Sequence, residues 1–274
     1  MRALAGRRIA LLERVAAPAH GSLADDLAAR LRAAGAEVEV VCAETRPLRI
    51  DVLPPWDLVV LKSGTPAALH LAAAAAAWGV PCVNPVEATR LAQDKLAATA
   101  LLLDAGLPVP DSRLAWLDGD AAARVRPFAG LPLVVKGQRG SRGESVFPFA
   151  EGELPRMLPL LPSGPYLLME RVPHWGDDLK VFVAGGWLRA IRRPYPALSP
   201  AEKRGRAVRV PRHAAQVARE AGRLLGLSCY GCDFVLGRDG AWLVDVNAFP
   251  GYKGADGAAA ALAAVVERTA AEAL

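Results

Sequence analysis

The chain has 274 residues, 53% of them hydrophobic and 22% charged, with a formal net charge of +5. The length suits two or three small cores better than one, and the composition is that of a globular protein. The basic balance suits an anionic ligand such as a nucleotide, phosphate or carboxylate, while the scattered arginines, lacking a Lys/Arg block with interleaved aromatics, point away from nucleic acid.

Much of the apolar share is alanine, as at 72–77 and 258–261. The stretch 67–83 carries His70, Gly79 and Pro81 and is too short and broken to span a bilayer. No cationic start followed by an apolar run and cleavage site marks a signal peptide, so a cytoplasmic protein is expected.

Residues 8–12 read as a short apolar strand. Ser22 is placed to cap a helix running to about residue 34, which Gly35 ends. Residues 37–42 and 57–61 follow as strands; Pro66 opens a helix that stops at Gly79, and 80–83 is a short strand. This β-α-β-β-α-β order predicts a small open α/β sheet. Ligands of such sheets sit beyond the carboxyl ends of the strands. That makes the loops 13–20 and Lys62-Ser63-Gly64-Thr65 candidate substrate loops.

Residues 85–105 read as one helix ending at Gly106, followed by a stiff link through Pro108 and Pro110. Short strands are expected at 113–116, 131–136, 145–149 and 166–170. The segment 178–195 reads as a hairpin turning at Gly185-Gly186. A helix over 212–225 ends at Gly226, strands follow at 228–236 and 241–246, and a last helix covers about 256–273.

No G-x-x-x-x-G-K-[ST] occurs, and no G-x-G-x-x-G follows the first strand. A P-loop and a dinucleotide site there are therefore excluded. Cys229 and Cys232 form a C-x-x-C with no second pair. A strand puts them on opposite faces, so neither a zinc nor a redox pair is expected. The four histidines, His20, His70, His174 and His213, show no metal spacing.

Three constellations carry chemistry. Asp233 lies on one strand of the last predicted hairpin, and Asp245 and Asn247 lie two apart on the other, in Asp245-Val246-Asn247-Ala248-Phe249-Pro250-Gly251. Three hard oxygens on one face suit Mg²⁺ when triphosphate and water complete its shell. Lys136 ends a strand and feeds the basic loop Gly137-Gln138-Arg139-Gly140-Ser141-Arg142-Gly143. There glycines let backbone N–H groups close around phosphate and the lysine adds a point charge. Glu170-Arg171-Val172 follows a strand, with Asp178 and Lys180 beyond. Such a hinge can offer backbone groups to adenine while a carboxylate takes ribose hydroxyls.

In this order the pieces resemble the ATP-grasp superfamily. Asp94-Lys95-Leu96 with Gly106-Leu107-Pro108-Val109-Pro110 resembles its opening motif, and Asp178-Leu179-Lys180 resembles a D-hydrophobic-R element with lysine for arginine. The resemblance covers 85–274. It implies an α+β ATP-grasp fold: a Rossmann-like domain at 1–84, a central subdomain with the phosphate loop at 85–175, and a C-terminal subdomain with the metal site at 176–274.

It also implies roles. Lys95, Lys136, Gly140, Ser141, Arg142, Gly143, Glu170, Arg171, Val172, Asp178 and Lys180 would bind ATP. Asp233, Asp245 and Asn247 would bind Mg²⁺, with Mn²⁺ as the alternative. Lys180 and Arg193 would be catalytic, and Lys62, Ser63, Arg192, Arg193, Arg204 and Gly251 would hold substrate.

Two branches compete. The RimK-like amino-acid ligases join a carboxylate to an amine through an acyl phosphate. The inositol trisphosphate kinase branch phosphorylates a hydroxyl, and Lys180-Val181-Phe182-Val183 and Phe249-Pro250-Gly251-Tyr252 resemble it. The glutamate ligases' N-x-x-R-G-G is replaced by Ala201-Glu202-Lys203-Arg204-Gly205-Arg206, which weighs against glutamate as substrate. The expectation is an ATP-dependent carboxylate–amine ligase acting on a small anionic substrate and an amine, with the hydroxyl kinase as alternative. A homo-oligomer is left open.

Overall fold

The computed structural model describes residues 2–14, 22–45, 52, 55–128, 130–137, 146–195, 197, 199–238 and 240–273. Its first sheet comes from β1 (Arg8–Leu12), α1 (Leu23–Ala33), β2 (Glu37–Val41), β3 (Leu58–Leu61), α2 (Pro66–Ala77) and β4 (Cys82–Val83). The strand order is β2-β1-β3-β4, and all pairings are parallel. Every residue of β3 is buried, as a strand covered on both faces requires. Ser22 caps α1 through a capping box with Asp25, and Thr65 caps α2 just before Pro66.

The expected helix over 85–105 is two helices, α3 (Val86–Gln93) and α4 (Lys95–Asp104). The break is Asp94. Its backbone leaves the helical region at φ −81° and ψ 93°, and its carboxylate accepts from the backbone N–H groups of Leu96 and Ala97. A new N-cap thus opens α4 with Lys95 as its first residue.

The middle sheet contains β5 (Ser112–Leu117), α5 (Ala122–Val125), β6 (Leu133–Gly137), β7 (Val146–Phe149), α6 (Leu154–Met157) and β8 (Gly164–Glu170). The strands run antiparallel in the order β5-β8-β6-β7. The third sheet follows from β9 (Asp177–Ala184), β10 (Trp187–Pro194), α7 (Pro200–Arg204), β11 (Arg206–Val208), α8 (Arg212–Leu225), β12 (Cys229–Gly237) and β13 (Gly240–Ala248). Its order is β11-β10-β9-β12-β13, again antiparallel, and α9 (Ala258–Glu272) closes the chain. The short helices α5, α6 and α7 and strand β11 carry too few residues to show a period, and none is expected from the sequence.

Two packing relations position the site. Leu262, Val265 and Val266 of α9 share a core with Leu27 and Leu31 of α1 and with Phe182 and Ile191 of the third sheet. Asn84, fully buried after β4, donates to the Cys229 carbonyl at 2.7 Å and accepts from the backbone N–H groups of Ser228 and Cys229 at 2.9 and 2.8 Å. The first sheet is therefore tied to the start of β12. On the other face of the third sheet, α8 packs Val217 and Ala221 against Leu179, Val181 and Cys232. Cys229 and Cys232 belong to different cores, consistent with opposite faces of β12.

Candidate active site

The register of the third sheet brings its charged residues together. Lys180 stands opposite Asp233, Asp233 opposite Asp245, and Asp178 opposite Arg193. Directly opposed residues share a face, as do residues two apart on one strand. Asp178, Lys180, Arg193, Asp233, Asp245 and Asn247 therefore all project from one side. The ladder keeps this alignment because its register shift, which leaves Val244 of β13 without a partner on β12, falls just past the Asp233–Asp245 pair.

Two carboxylates directly opposed would repel each other. Each has its own lysine. The Lys180 amine donates to both oxygens of Asp233 at 2.7 and 2.9 Å, and the Lys95 amine donates to both oxygens of Asp245 at 3.0 and 2.9 Å. Burial would raise the Asp245 carboxyl, but Lys95 and Lys136 outweigh it and hold it below its ordinary value. Arg193 makes a forked pair with Asp178, from Nε at 2.7 and 3.0 Å and from Nη2 at 2.9 Å, and reaches Asp233 at 3.5 Å. Asp178 is buried, which pushes its carboxyl up against the opposing pull of Arg193.

Lys136 comes in from the middle sheet and donates to the Val244 carbonyl at 2.5 Å. It is only 6% exposed, and burial lowers its amine to about 8 despite the attraction of Asp245. Opposite the acids, Val134, Val146, Pro148 and Met169 form an apolar wall, and Glu170, Arg171 and Val172 border it. The resulting cleft has a volume of about 390 Å³, within the range of small-molecule sites. At its mouth His174 meets Tyr195 edge to face, with ring centroids 5.2 Å apart.

The donor set fits a magnesium ion in kind. Asn247 Nδ2 donates to Asp233 Oδ2 at 2.9 Å and to Asp245 Oδ2 at 3.3 Å, so two hard oxygens surround one point. Among the described residues no group of three or more histidines, cysteines or acids comes together as a metal cage. Asp233 and Asp245 bring two carboxylates together with the Asn247 amide beside them, in a cleft that Glu170 and Asp178 also line.

Several expected site residues stand elsewhere. Arg192 is one residue from Arg193 and so faces the other side of the sheet, where it pairs with Asp177 at 2.8 Å. Lys62 is paired with Glu13, and Ser63 is buried against Thr65. Neither lines the cleft, although Gln93 donates to the Gly64 carbonyl and ties that loop to the residue preceding Asp94 and Lys95. Arg204 and Gly251 do not line it either. Asp178 is turned to Arg193 rather than left open for ribose. Gly140, Ser141, Arg142 and Gly143 lie outside the described residues, as does His20.

Sequence reasoning named Asp94, Phe249 and Tyr252 only as parts of motifs and gave them no role of their own. Asp94 aims Lys95. Tyr252 donates to the Val183 carbonyl at 2.7 Å and stacks on Phe182. Phe249 and Tyr252 take φ of 41° and 49°, a left-handed conformation that costs a bulky residue about 1 kcal/mol or more. Such strain next to Asn247 is a signal only coordinates carry.

No family model matches the chain. It is 28% identical over 190 residues to a probable alpha-L-glutamate ligase of Parasynechococcus marenigrum (strain WH8102), a match covering 65% of this chain and 40% of that protein. It is 26% identical over 223 residues to a probable alpha-L-glutamate ligase of Saccharophagus degradans, covering 76% and 73%. Among solved structures, the RimK domain protein ATP-grasp from Sphaerobacter thermophilus superposes with a TM-score of 0.74 at 21% identity, over 96% of this chain and 98% of that one. The ATP-grasp ligase PsnB complexed with minimal precursor, Mg and ADP gives 0.69 at 20% identity, over 95% and 97%.

The chain has the fold of ATP-grasp proteins. By sequence it is similar to proteins named probable alpha-L-glutamate ligases, and by fold to a RimK domain protein. The chain spans well under half the length of the first relative and about three quarters of the second.

Proposed function

We propose that the chain is an ATP-dependent carboxylate–amine ligase that forms a peptide-like amide on a small anionic substrate through an acyl phosphate. The observation that carries this reading is the convergence of Lys95, Lys136 and Lys180 on the Asp233–Asp245 pair. Three cations from three separate parts of the chain surround two acids in a cleft of nucleotide size. The names of the relatives favour amide formation over hydroxyl phosphorylation.

On this reading Lys95, Lys136 and Lys180 exchange their present partners for phosphate oxygens. Glu170 to Val172 border the base, against the wall of Val134, Val146, Pro148 and Met169. Asp233, Asp245 and Asn247 would hold magnesium, which when bound neutralises charge on the β- and γ-phosphates. Asp178 fixes the guanidinium of Arg193, which orients the anionic substrate. A substrate carboxylate oxygen attacks the γ-phosphorus and ADP leaves. An amine then attacks the acyl carbon, the phosphate departs, and the amine loses a proton.

The test is incubation with Mg-ATP and pools of amino acids or short peptides, following ADP, phosphate and product mass. Phosphate release that requires an amine, with a product one amide heavier, is expected. A stable phosphorylated product formed without an amine would make the chain a hydroxyl kinase.

A further inference from the structure

Gly231 is buried in the middle of β12, and its φ is not left-handed, so the backbone alone does not call for a glycine there. A glycine inside a strand loosens it and marks a close approach by a neighbour. A Cβ at this position would lie 3.1 Å from Pro250 Cγ, 3.3 Å from Lys180 Cε and 3.5 Å from Phe182 Cδ1. Carbon atoms prefer a separation of about 3.5–4.0 Å. The space above Gly231 is therefore a slot walled on three sides, with no room for a methyl group unless a wall moves.

One wall is the stem of a charged site residue. Lys180 precedes Phe182 by two positions on β9, and Phe182 stands directly opposite Gly231. The Lys180 amine donates to Asp233, two positions further along β12, and lies 5.8 Å from the Phe182 ring centroid. Nζ is one bond beyond Cε, so any shift of the stem carries the amine with it. Pro250 closes the slot from the other side. The chain leaves β13 with a φ of 41° at Phe249, whose N–H bonds the Cys229 carbonyl at 2.8 Å, and so turns Pro250 back over β12. The strained backbone at Phe249 thus supplies a wall of the slot. A lysine stem confined in this way has given up rotamer freedom before any ligand arrives.

We infer that Gly231 is a positioning residue for the Lys180 amine. Its missing side chain leaves the slot between Phe182 and Pro250 in which the Lys180 stem is held, and this aims the amine at Asp233. The purpose of the aim, a phosphate oxygen of ATP, rests on the proposed function; the placement of the amine does not.

The test is Gly231→Ala in the whole protein, with Gly164→Ala as control, since a Cβ at 164 would meet nothing within 4 Å. Acetylation of Lys180 by acetic anhydride, read by peptide mass mapping, reports the placement of the amine without a ligand. In the wild type the amine is paired with Asp233 and its side chain is 12% exposed, so it should react slowly. Gly231→Ala should raise that rate about threefold or more and lower Mg-ATP affinity about tenfold, as expected when one charge-assisted hydrogen bond is misplaced. The unfolding midpoint should move little, because alanine suits an extended backbone better than glycine and offsets the crowding. Gly164→Ala should change neither rate nor affinity. Lys180→Met keeps the stem and removes the amine, and in that background Gly231→Ala should cost no further ATP affinity. If Gly231→Ala does not fold, Pro250→Ala, which takes away the far wall, should raise Lys180 reactivity in the same way. A wild-type acetylation rate in the folded variant overturns the inference, as does an undiminished further loss of ATP affinity in the Lys180→Met background. Faster acetylation in a protein that binds no ATP would leave the inference standing and remove the nucleotide reading. ATP binding with unchanged Lys180 reactivity would do the reverse.

Discussion

Asp233 and Asp245 face each other across β12 and β13, each clasped by a lysine from a different part of the chain, with the Asn247 amide bonded to both. Each acid is paired with its own lysine, so removing either partner of a pair leaves the other's charge unmatched.

Asp245→Ala should lower turnover by at least about 100-fold, since an electrostatic group aimed at transferring charge contributes that much or more. The fold should survive with a stability loss of about 1–3 kcal/mol, because Lys95 and Lys136 lose their shared carboxylate. Steady-state kinetics and urea unfolding check the two parts separately. Wild-type turnover in a folded variant would remove Asp245 from the site.

Lys136 sets a pH dependence. Its amine titrates at about 8 in the folded chain against an ordinary 10.5. Between those values the unfolded chain binds more protons, so the stability of the nucleotide-free protein should rise with pH across that window. Phosphate favours the charged amine, so ATP affinity should fall as pH rises from 7 through 9, with proton uptake on binding. Lys136→Met should flatten both trends. Calorimetric titration in buffers of different ionisation enthalpy measures them.

The Arg193–Asp178 fork needs a planar guanidinium. Arg193→Lys should therefore cost about 1–3 kcal/mol in kcat/KM, roughly 5- to 150-fold. Asp178→Asn should cost about the same. The double variant should be little worse than either single one, as expected for one coupled unit. Additive losses would show that the two side chains act independently.

Asn84→Ala leaves one carbonyl and two backbone N–H groups at the start of β12 without their side-chain partner. A loss of about 3–5 kcal/mol is expected, at roughly 1–3 kcal/mol per buried group left unmade. The denaturation midpoint should fall sharply, and ATP binding should weaken only as the folded fraction falls. A midpoint within error of wild type would contradict the role given to this tie.

Gly254 has φ of +76°, and a Cβ there would lie 2.1 Å from the Arg204 carbonyl oxygen. Gly79 has φ of +81° with nothing within 4 Å of its Cβ position. Both alanine variants carry the left-handed penalty of about 1 kcal/mol, and only Gly254→Ala adds the clash. Gly254→Ala should be the more destabilising by about 2 kcal/mol or more, and it should shift α7 away from β10. Equal thermal shifts in the two variants would refute the close approach.

Much of this protein was legible in its residues. The period-two spacing of Asp245 and Asn247 placed them on one face. Gly185-Gly186 marked the hairpin, the Ser22 and Pro66 starts held, and the β-α-β-β-α-β order predicted the first sheet. These are local patterns, and local sterics and hydrogen bonding enforce them. The tertiary structure decided what depends on strand register and distant contact. Lys95 meets an acid 150 positions away, and Lys136 finds the Val244 carbonyl 108 positions away. Arg192 and Arg193 look alike in sequence, but one step along a strand turns a side chain to the opposite face. The register with Asp178 then determined that Arg193 looks into the cleft. Asp94 could have continued a helix, and its side-chain bonds to Leu96 and Ala97 instead ended one helix and aimed Lys95 from the next.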